Sequence, residues 1–585
     1  MTATRLSIFF ACIALITVPA LATKPNIVVV LTDDQGWGDL SLHGNKNLST
    51  PNIDRLAKEG AQFDRFYVCP VCSPTRAEFL TGRYHQRGGV YSTSAGGERL
   101  DLDEHTIADT FKTAGYATGA FGKWHNGMQY PYHPNGRGFD EFYGFCSGHW
   151  AHYFSPMLER NGSIVKGEGF VIDDFTDKAM AFIETNAKAE KPFLAYLPYN
   201  TPHSPMQVPG AYWGRHAENE LAQRATHPKS ESVSHTRAAL AMCENIDWNV
   251  GRLMKKLDDL GIAENTIVVF FHDNGPNGWR WNGGMRGRKG STDEGGVRSP
   301  LFVRWKDKIT PGLMIQPLGA AIDLLPTLAD LASVEVKSER KLDGKSLKPL
   351  LLEKATDWDE RIHISSWRGR ASARSQRFRL DYKGRLYDMD KDPGQLADVT
   401  NIFPSESARH KAAVAKFRKE VMSELGKDER PFLVGHPDYK FTQIPARDAV
   451  AHGGVKRSNK FPNCTHFTNW RKTEDKITWE VEVVEAGDFE VDLYYTCPMA
   501  DVGSTVELSF NGARLKTKIT EAFDPPFIAS ALDRHKRIEG DDKEWKPMTM
   551  GTITLPKGKG SLTLRASEIP GASVMDFRLL MLKRK

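Results

Sequence analysis

A cysteine followed two residues on by a proline, and four residues on by an arginine, opens the run Cys72-Ser73-Pro74-Thr75-Arg76. Ser73 or Pro74 breaks what precedes it, and Arg76 to Thr81 are helix formers, so the run reads as a loop feeding a helix. A thiol at a helix N-terminus beside an arginine has its anion favoured and is reactive; a small buried cysteine is the competing reading. Other groups fit the same chemistry. Asp33 and Asp34 are adjacent carboxylates, which repel each other unless a cation sits between them, although a capping turn also uses such a pair. Lys123 and His125 stand in Gly122-Lys123-Trp124-His125, and His203 closes Thr201-Pro202-His203. Asp273 and Asn274 lie in His272-Asp273-Asn274-Gly275, and Lys289 precedes Gly290. The oxygens of Asp33, Asp34, Asp273 and Asn274 are hard ligands that suit Ca2+ or Mg2+ better than Zn2+.

The elements around these groups explain how they can meet. Asn26 to Leu31 is a continuous apolar, β-branched run, the pattern of a parallel-sheet strand covered on both faces, and it ends at Asp33-Asp34. Tyr116 to Phe121 ends at Lys123 and His125, Phe193 to Leu197 leads to His203, and Thr266 to Phe271 ends at Asp273. Helical patterns lie at Pro51 to Gly60, Ile107 to Thr113, Phe175 to Asn186 and Arg237 to Leu260, so the chain alternates βα units around a mainly parallel sheet. Ligands bind beyond the carboxyl ends of strands in such sheets, and four strand ends here deliver chemistry to one edge. A strand at Pro300 to Arg304 and a helix at Ala321 to Ala332 follow. Residues 361–440 carry Phe378-Arg379-Leu380, Leu386-Tyr387-Asp388 and Asp392-Pro393, then a helix from Ser407 to Leu425.

From 441 the period changes to two. Ile477 to Val484 and Asp488 to Tyr495 alternate, with Ala486-Gly487 as a turn between them, and Asn511-Gly512 closes a hairpin after Thr505 to Phe510. Thr552 to Leu555, Ser561 to Arg565 and Phe577 to Leu582 add strands, which together predict a β-sandwich. This last domain is expected to be separable, raising the local concentration of a polymer at the catalytic part. With no Gly/Ser linker before it, a rigid interface is the alternative.

The run CSPTR, continued by Leu80-Thr81-Gly82-Arg83, resembles the signature of the formylglycine-dependent (type I) sulfatases of the alkaline-phosphatase-like superfamily. The strand-terminal Asp33-Asp34 and His272-Asp273-Asn274-Gly275 extend the resemblance over roughly residues 25 to 440. It implies an α/β catalytic domain at 23–360, its mainly parallel sheet sandwiched by helices, and a small C-terminal sheet subdomain at 361–440. The all-β sandwich at 441–585 is similar to jelly-roll carbohydrate-binding modules. The resemblance further implies that a maturation system oxidises Cys72 to formylglycine, and that one Ca2+ is held by Asp33, Asp34, Asp273, Asn274 and residue 72. One hydroxyl of the aldehyde hydrate sits on the metal while the other attacks sulfur. By the same resemblance Arg76 orients the hydrate, and Lys123 and Lys289 hold sulfate oxygens. His125 contacts the nucleophile and takes a proton when the intermediate collapses; His203 contacts the sulfate and acts as acid for the leaving group. Arg286 or Arg288 could share the sulfate with Lys289.

The implied reaction is hydrolysis of sulfate monoesters on a sulfated polysaccharide or oligosaccharide. A phosphonate or phosphate ester hydrolase of the same superfamily, and an unmodified glycan-binding exported protein, are the alternatives. Trp279, Arg280 and Trp281, together with His149-Trp150 and Tyr153, are candidates for specificity: aromatic faces stack on sugars and an arginine pairs with a second sulfate or a uronate. Trp279 to Trp281 lie in an insertion just after His272-Asp273-Asn274-Gly275, and packing of that insertion itself is the other reading of those tryptophans.

Composition narrows the classes. The chain has 585 residues, 40% hydrophobic and 26% charged, with a net charge of +5 too small to argue for nucleic acid. Residues 1–22 read as a signal peptide: Arg5, an apolar core from Leu6 to Val18, then Ala20-Leu21-Ala22. That core is shorter than the ~20 residues a membrane span needs, so an exported protein, periplasmic or secreted, is expected. Of seven cysteines, Cys12 leaves with the signal peptide, and Cys464 and Cys497, both in the last domain, could pair, which the sequence leaves open.

Overall fold

The computed structural model describes residues 24–352, 358–528 and 530–585. The expected signal peptide lies outside the described residues. A ten-stranded mixed sheet forms the centre, and its five middle strands run parallel in the order Thr266–His272, Asn26–Thr32, Phe193–Pro198, Ala117–Lys123, Glu141–Phe145. Leu301–Trp305 and Met157–Arg160 flank this block antiparallel. Every residue of Asn26–Thr32 is buried, and the alternation of the pleat decides what each one meets. Val28 and Val30 pack with Phe175, Ile183, Ile246 and Val250 from the helices Val171–Lys188 and Val233–Asp259. Ile27, Val29 and Leu31 pack on the other face with Phe79, Phe111 and Leu328 from Cys72–Thr81, Ile107–Thr113 and Leu324–Leu331. Both faces are covered, which is why the strand reads as an unbroken apolar run.

The helix Cys72–Thr81 is buried at every position, including Arg76 and Glu78. It stops at Gly82, whose φ of 68° is the left-handed cap conformation, with its N–H donating to Glu78 O. A four-stranded antiparallel sheet follows the main domain (His363–Trp367, Arg370–Arg374, Phe378–Leu380, Leu386–Asp388), crossed by the helix Pro404–Glu420. Buried Glu294 ties it to the catalytic body, accepting from Arg379 Nε at 2.8 Å and from Tyr67 Oη at 2.8 Å.

The C-terminal region is a sandwich of two six-stranded sheets. The Asn511-Gly512 turn, at φ 45° and 92°, closes Thr505–Phe510 onto Ala513–Lys518 as its sequence predicts. Two expectations are corrected. Lys476–Val483 and Gly487–Thr496 are not neighbours in one sheet: the first pairs with Gly558–Glu568, the second with Lys546–Leu555 and Asp576–Arg584. The turn at Ala486-Gly487 therefore carries the chain across the core, a distinction that period-two patterning does not encode. The expected boundary at 440 also falls late, because Phe432–Val434 already pairs with Val481–Val483; three residues are too few to show a period.

Nor is the sandwich loosely attached. Arg447, buried, reaches Glu98 Oε1 at 2.7 Å and Ser147 Oγ at 3.1 Å across the junction. Arg537 Nη1 donates to Ala151 O at 3.0 Å, and Gln207 bridges Asp533. The Arg578 guanidinium lies 5.5 Å over the Trp150 ring. The rigid interface, not the tether, is the arrangement found. Cys464 and Cys497 do not pair: all six described cysteines are free and buried, and Cys464 Sγ donates to His149 O at 2.7 Å. No helix among the described residues is long and apolar enough to cross a membrane.

Candidate active site

Strand register sets the site. Leu31 pairs with Phe271 and Pro198, and Thr32 with His272, so Asp33 and Asp273 leave the sheet side by side. Asp34, at φ 64°, turns back so that its N–H donates to Asp273 Oδ1 at 3.1 Å. The Cys72 helix points its first residue at this edge: Cys72, Asp33 and Asp273 offer ligand atoms within 4.8 Å of one another, as do Asp33, Asp34 and His203. Arg76, fully buried, donates from Nη2 to Asp273 Oδ2 at 2.9 Å and from Nη1 to Lys123 O at 2.7 Å. Lys123 Nζ reaches Asp33 Oδ2 at 2.5 Å, Lys289 Nζ reaches Asp34 at 2.8 Å, and His203 Nε2 stands 3.6 Å from Asp34 Oδ2. Thr75 Oγ1 donates to Asp273 O at 2.5 Å, a contact not anticipated from the sequence.

Asp33 Oδ1 and Asn274 Oδ1 are buried with no hydrogen-bond partner, although Asn274 Nδ2 donates to Asp34 Oδ1 at 2.8 Å. Three buried carboxylates, with one unpartnered oxygen on Asp33 and another on the Asn274 amide, form a donor set that a hard divalent cation fits. The charges agree. Burial and the neighbouring Asp33 push the Asp273 carboxyl up to about 8, against the pull of Arg76. Burial opposes ionisation of Asp33 too, but Lys123, His203 and Arg76 hold it far below the usual carboxylate range. A divalent cation here would let all three ionise together.

Burial pushes the Cys72 thiol up despite Lys123 and Lys289, so the anion expected from the helix N-terminus is not favoured. Arg76 is committed to Asp273 and Lys123 O, and desolvation wins. His125 sits at φ 68° with Nε2 2.9 Å from Thr93 O, which makes Nε2 the N–H donor and leaves Nδ1, buried and unpartnered, as the lone-pair atom. Burial, reinforced by Lys123, holds this ring well below its ordinary pKa and therefore neutral.

The specificity candidates divide. Arg280 is excluded as a substrate contact: it is buried, clamps Asp39 through Nε and Nη2 (2.6–2.9 Å), and donates to Asp34 O and Asn277 O at 2.8 Å. Its charge is already neutralised, and its role is to fold the insertion against the Asp34 turn. Trp281 packs on Gly38, where an added methyl would come within 3.1 Å of the indole. Trp279 is half-buried between His227, 5.0 Å away edge-on, and Arg288, 5.3 Å over its face. Trp150 stacks on Phe145 in the core. His149, grouped with it as a sugar platform, instead lies with Nδ1 3.5 Å from His203 Nδ1, and Tyr153 Oη donates to His203 O and Ser204 O. Arg286 is held by Asp293 and Asp381, away from Lys289's partner.

Comparison with known proteins agrees with this geometry. Residues 25–334 match the sulfatase family model, and residues 289–425 match that of the N-sulphoglucosamine sulphohydrolase C-terminal region, so both matches end before the sandwich. The chain is 32% identical over 363 residues to N-acetylgalactosamine-6-sulfatase of Mus musculus, a stretch covering 56% of this chain and 66% of the mouse protein. It is 31% identical over 425 residues to the steryl-sulfatase of Mus musculus, covering 56% of this chain and 65% of the relative. The crystal structure of Ps i-CgsB in complex with k-i-k-neocarrahexaose superposes with a TM-score of 0.62 at 28% identity, over 70% of this chain and 95% of that one. The phosphonate monoester hydrolase of Agrobacterium radiobacter shares the fold, with a TM-score of 0.52 at 20% identity over 68% of this chain and 96% of that one. The chain spans just under two thirds of the length of these curated relatives, and with the family match spanning more than half of its own length it belongs to the sulfatase family, of the formylglycine-dependent, alkaline-phosphatase-like type.

Proposed function

We propose that this chain is an exported sulfatase that hydrolyses sulfate monoesters on a sulfated polysaccharide or oligosaccharide. One observation supports the reading most: buried Asp33, Asp34 and Asp273, beside unpartnered oxygens on Asp33 and Asn274, meet the first residue of the Cys72 helix among Lys123, Lys289 and His203. The names of a carbohydrate sulfatase relative and of a neighbour in complex with a neocarrahexaose support the substrate class.

Asp33, Asp34, Asp273, Asn274 and residue 72 would hold one Ca2+, which supplies charge neutralisation for the anionic ester. Cys72, oxidised by a maturation system to formylglycine, would furnish the nucleophile. The other tasks fall to side chains already in place. Lys123 and Lys289 set two cations at the rim of the carboxylate cluster, where sulfate oxygens would lie. Arg76 opposes the rise in the Asp273 pKa and orients its carboxylate. His125 accepts a proton at Nδ1, the atom its Thr93 contact leaves free, and His203, facing Asp34 through Nε2, delivers one to the departing oxygen.

Turnover of 4-nitrophenyl sulfate and of the corresponding phenyl phosphonate by the purified chain tests the proposal, alongside mass spectrometry of the peptide containing residue 72. Aryl sulfate should be preferred, residue 72 should carry the aldehyde mass, and Cys72→Ala should abolish multiple turnover. A preference for the phosphonate, or an active Cys72→Ala, refutes it. A panel of sulfated polysaccharides and their oligosaccharides then identifies the glycan.

A further inference from the structure

We propose that the C-terminal sandwich positions both proton-transferring histidines, through Asn463 on one side of the pocket and Glu539 on the other. The inference rests on the roles proposed above for His125 and His203. Both family matches end at or before residue 425, so neither contact belongs to the part of the chain they describe.

His125 holds a left-handed backbone conformation, which persists only where the surroundings over-determine it. Its ring is aimed by one hydrogen bond, Nε2–H to Thr93 O at 2.9 Å. Thr93 lies in an irregular loop with no helix or strand to fix that carbonyl. What fixes it is the sandwich: Asn463 Nδ2 donates to the same Thr93 O at 3.3 Å. A methyl group added at Gly148 would lie 2.1 Å from His125 Nε2 and 2.9 Å from Asn463 Nδ2, so one glycine packs against both groups. Asn463 is itself anchored. Its carbonyl accepts from Ser147 Oγ at 2.9 Å, the next residue's thiol donates to His149 O, and Arg447 grips Ser147 and Glu98.

The second contact mirrors the first. Glu539 Oε1 accepts from Ser204 Oγ at 2.9 Å, and Ser204 O in turn bonds His203 Nδ1 at 2.8 Å. Residues 203–206 lie outside any helix or strand; Tyr153 Oη holds His203 O and Ser204 O from the catalytic side, and the sandwich adds Glu539 at Ser204 Oγ and the Arg534 N–H on Met206 O at 2.8 Å. The Nδ1–Ser204 O bond directs His203 Nδ1 away from the site and leaves Nε2 facing Asp34. Each histidine is thus linked to a residue of the appended domain through one intervening residue, Thr93 or Ser204. A shift of about 1 Å in a catalytic group can lower turnover on the order of 100-fold, so loose anchoring here would be costly.

The experiment uses the full-length, matured enzyme with 4-nitrophenyl sulfate, too small to need a polymer-binding surface. Asn463→Ala removes the donor to Thr93 O, and Asn463→Asp removes it at constant shape. Both should lower kcat about 10- to 100-fold per mole of formylglycine with KM little changed. Glu539→Ala should behave likewise, and Glu539→Gln, which keeps an acceptor for Ser204, should recover most of that loss. A purely structural contact would instead lower the melting temperature and the yield of folded enzyme while leaving kcat per active site intact. That pattern in the Asn463 variants, or wild-type kcat in Asn463→Asp, overturns the assignment. Absence of aryl sulfate turnover in the wild-type enzyme would overturn the sulfatase reading first, and this inference with it.

Discussion

Arg447→Met should unseat the sandwich from the catalytic domain. The side chain is 2% exposed and meets two carboxylates that are each 1% exposed, Glu98 at 2.7 Å and Asp448 at 3.1 Å. Methionine fills similar volume and removes the charge, leaving both acids buried without a cation. Removing one partner of a buried ion pair costs about 3–5 kcal/mol, a large part of a domain's stability. For a unit of the sandwich's size that corresponds to a melting shift of roughly 6–20 °C. The pH dependence gives a second handle. Burial already raises the Asp448 carboxyl, Arg447 opposes that rise, and Glu98 adds to it. An acid with a raised folded pKa binds protons more tightly when folded, so the stability it contributes is present in acid and lost as pH rises. Without Arg447 the rise is larger, and the deficit of the variant relative to wild type should widen from pH 5 to pH 8. Scanning calorimetry across that range measures both effects. Arg447→Met combined with Glu98→Gln and Asp448→Asn should regain most of the loss, because no unpaired charge remains. A melting shift below about 2 °C at pH 7.5, or a deficit that does not change with pH, refutes the reasoning.

Three further outcomes are expected. Asp273→Ala should lose calcium on dialysis, read by metal analysis, since one anionic ligand goes and Asp33 and Asp34 are left facing each other; full occupancy would remove Asp273 from the donor set. Glu78→Gln should gain stability relative to wild type as pH rises, because burial lifts the Glu78 carboxyl from 4.5 to about 8 and the wild type pays to keep it protonated across that window; parallel stability curves would contradict this. A chain ended at residue 431, before the first sandwich strand, should lose activity on aryl sulfate as well as on polymer; retention of the small-substrate activity would show that the sandwich is dispensable for chemistry.

What the sequence makes legible here is what burial on two faces or a strict period imposes. Asn26–Thr32 and Thr266–His272 are readable because each must be apolar throughout, and the carboxylates just beyond them follow from where the strands stop. The site residues Asp33, Asp34, Cys72, Arg76, Lys123, His203, Asp273 and Asn274 converge because strand and helix ends bring them to one edge, and a loop adds Lys289. Residue type alone misleads where desolvation or a hidden partner decides. Arg280 looks like a cation awaiting an anion, yet Asp39 has already claimed it, and the Cys72 thiol sits at a helix start whose field is outweighed by burial. The contacts of Asn463, Glu539 and Arg447 are illegible for another reason. They join positions more than 290 residues apart through the docking of two finished surfaces, and no local pattern marks them.

The enclosure of the Cys72 helix also sets an order of events for the maturation proposed above. An enzyme that must reach Cys72 cannot do so once the helix is sealed, and two of the seals, Thr75 and Arg76 bonding to Asp273, involve a residue made nearly 200 positions later. At translation rates of about 5–20 residues per second, residue 273 emerges roughly 10–40 s after residue 76. During that interval the central sheet lacks Thr266–His272, the neighbour of Asn26–Thr32, and the signature run remains a peptide. For the proposed conversion, the position of the cysteine early in the chain, and of its closing partner late, would work as a timer. A circular permutant that brought residues 266–275 out ahead of Cys72 would shorten the interval and should emerge with less of residue 72 converted.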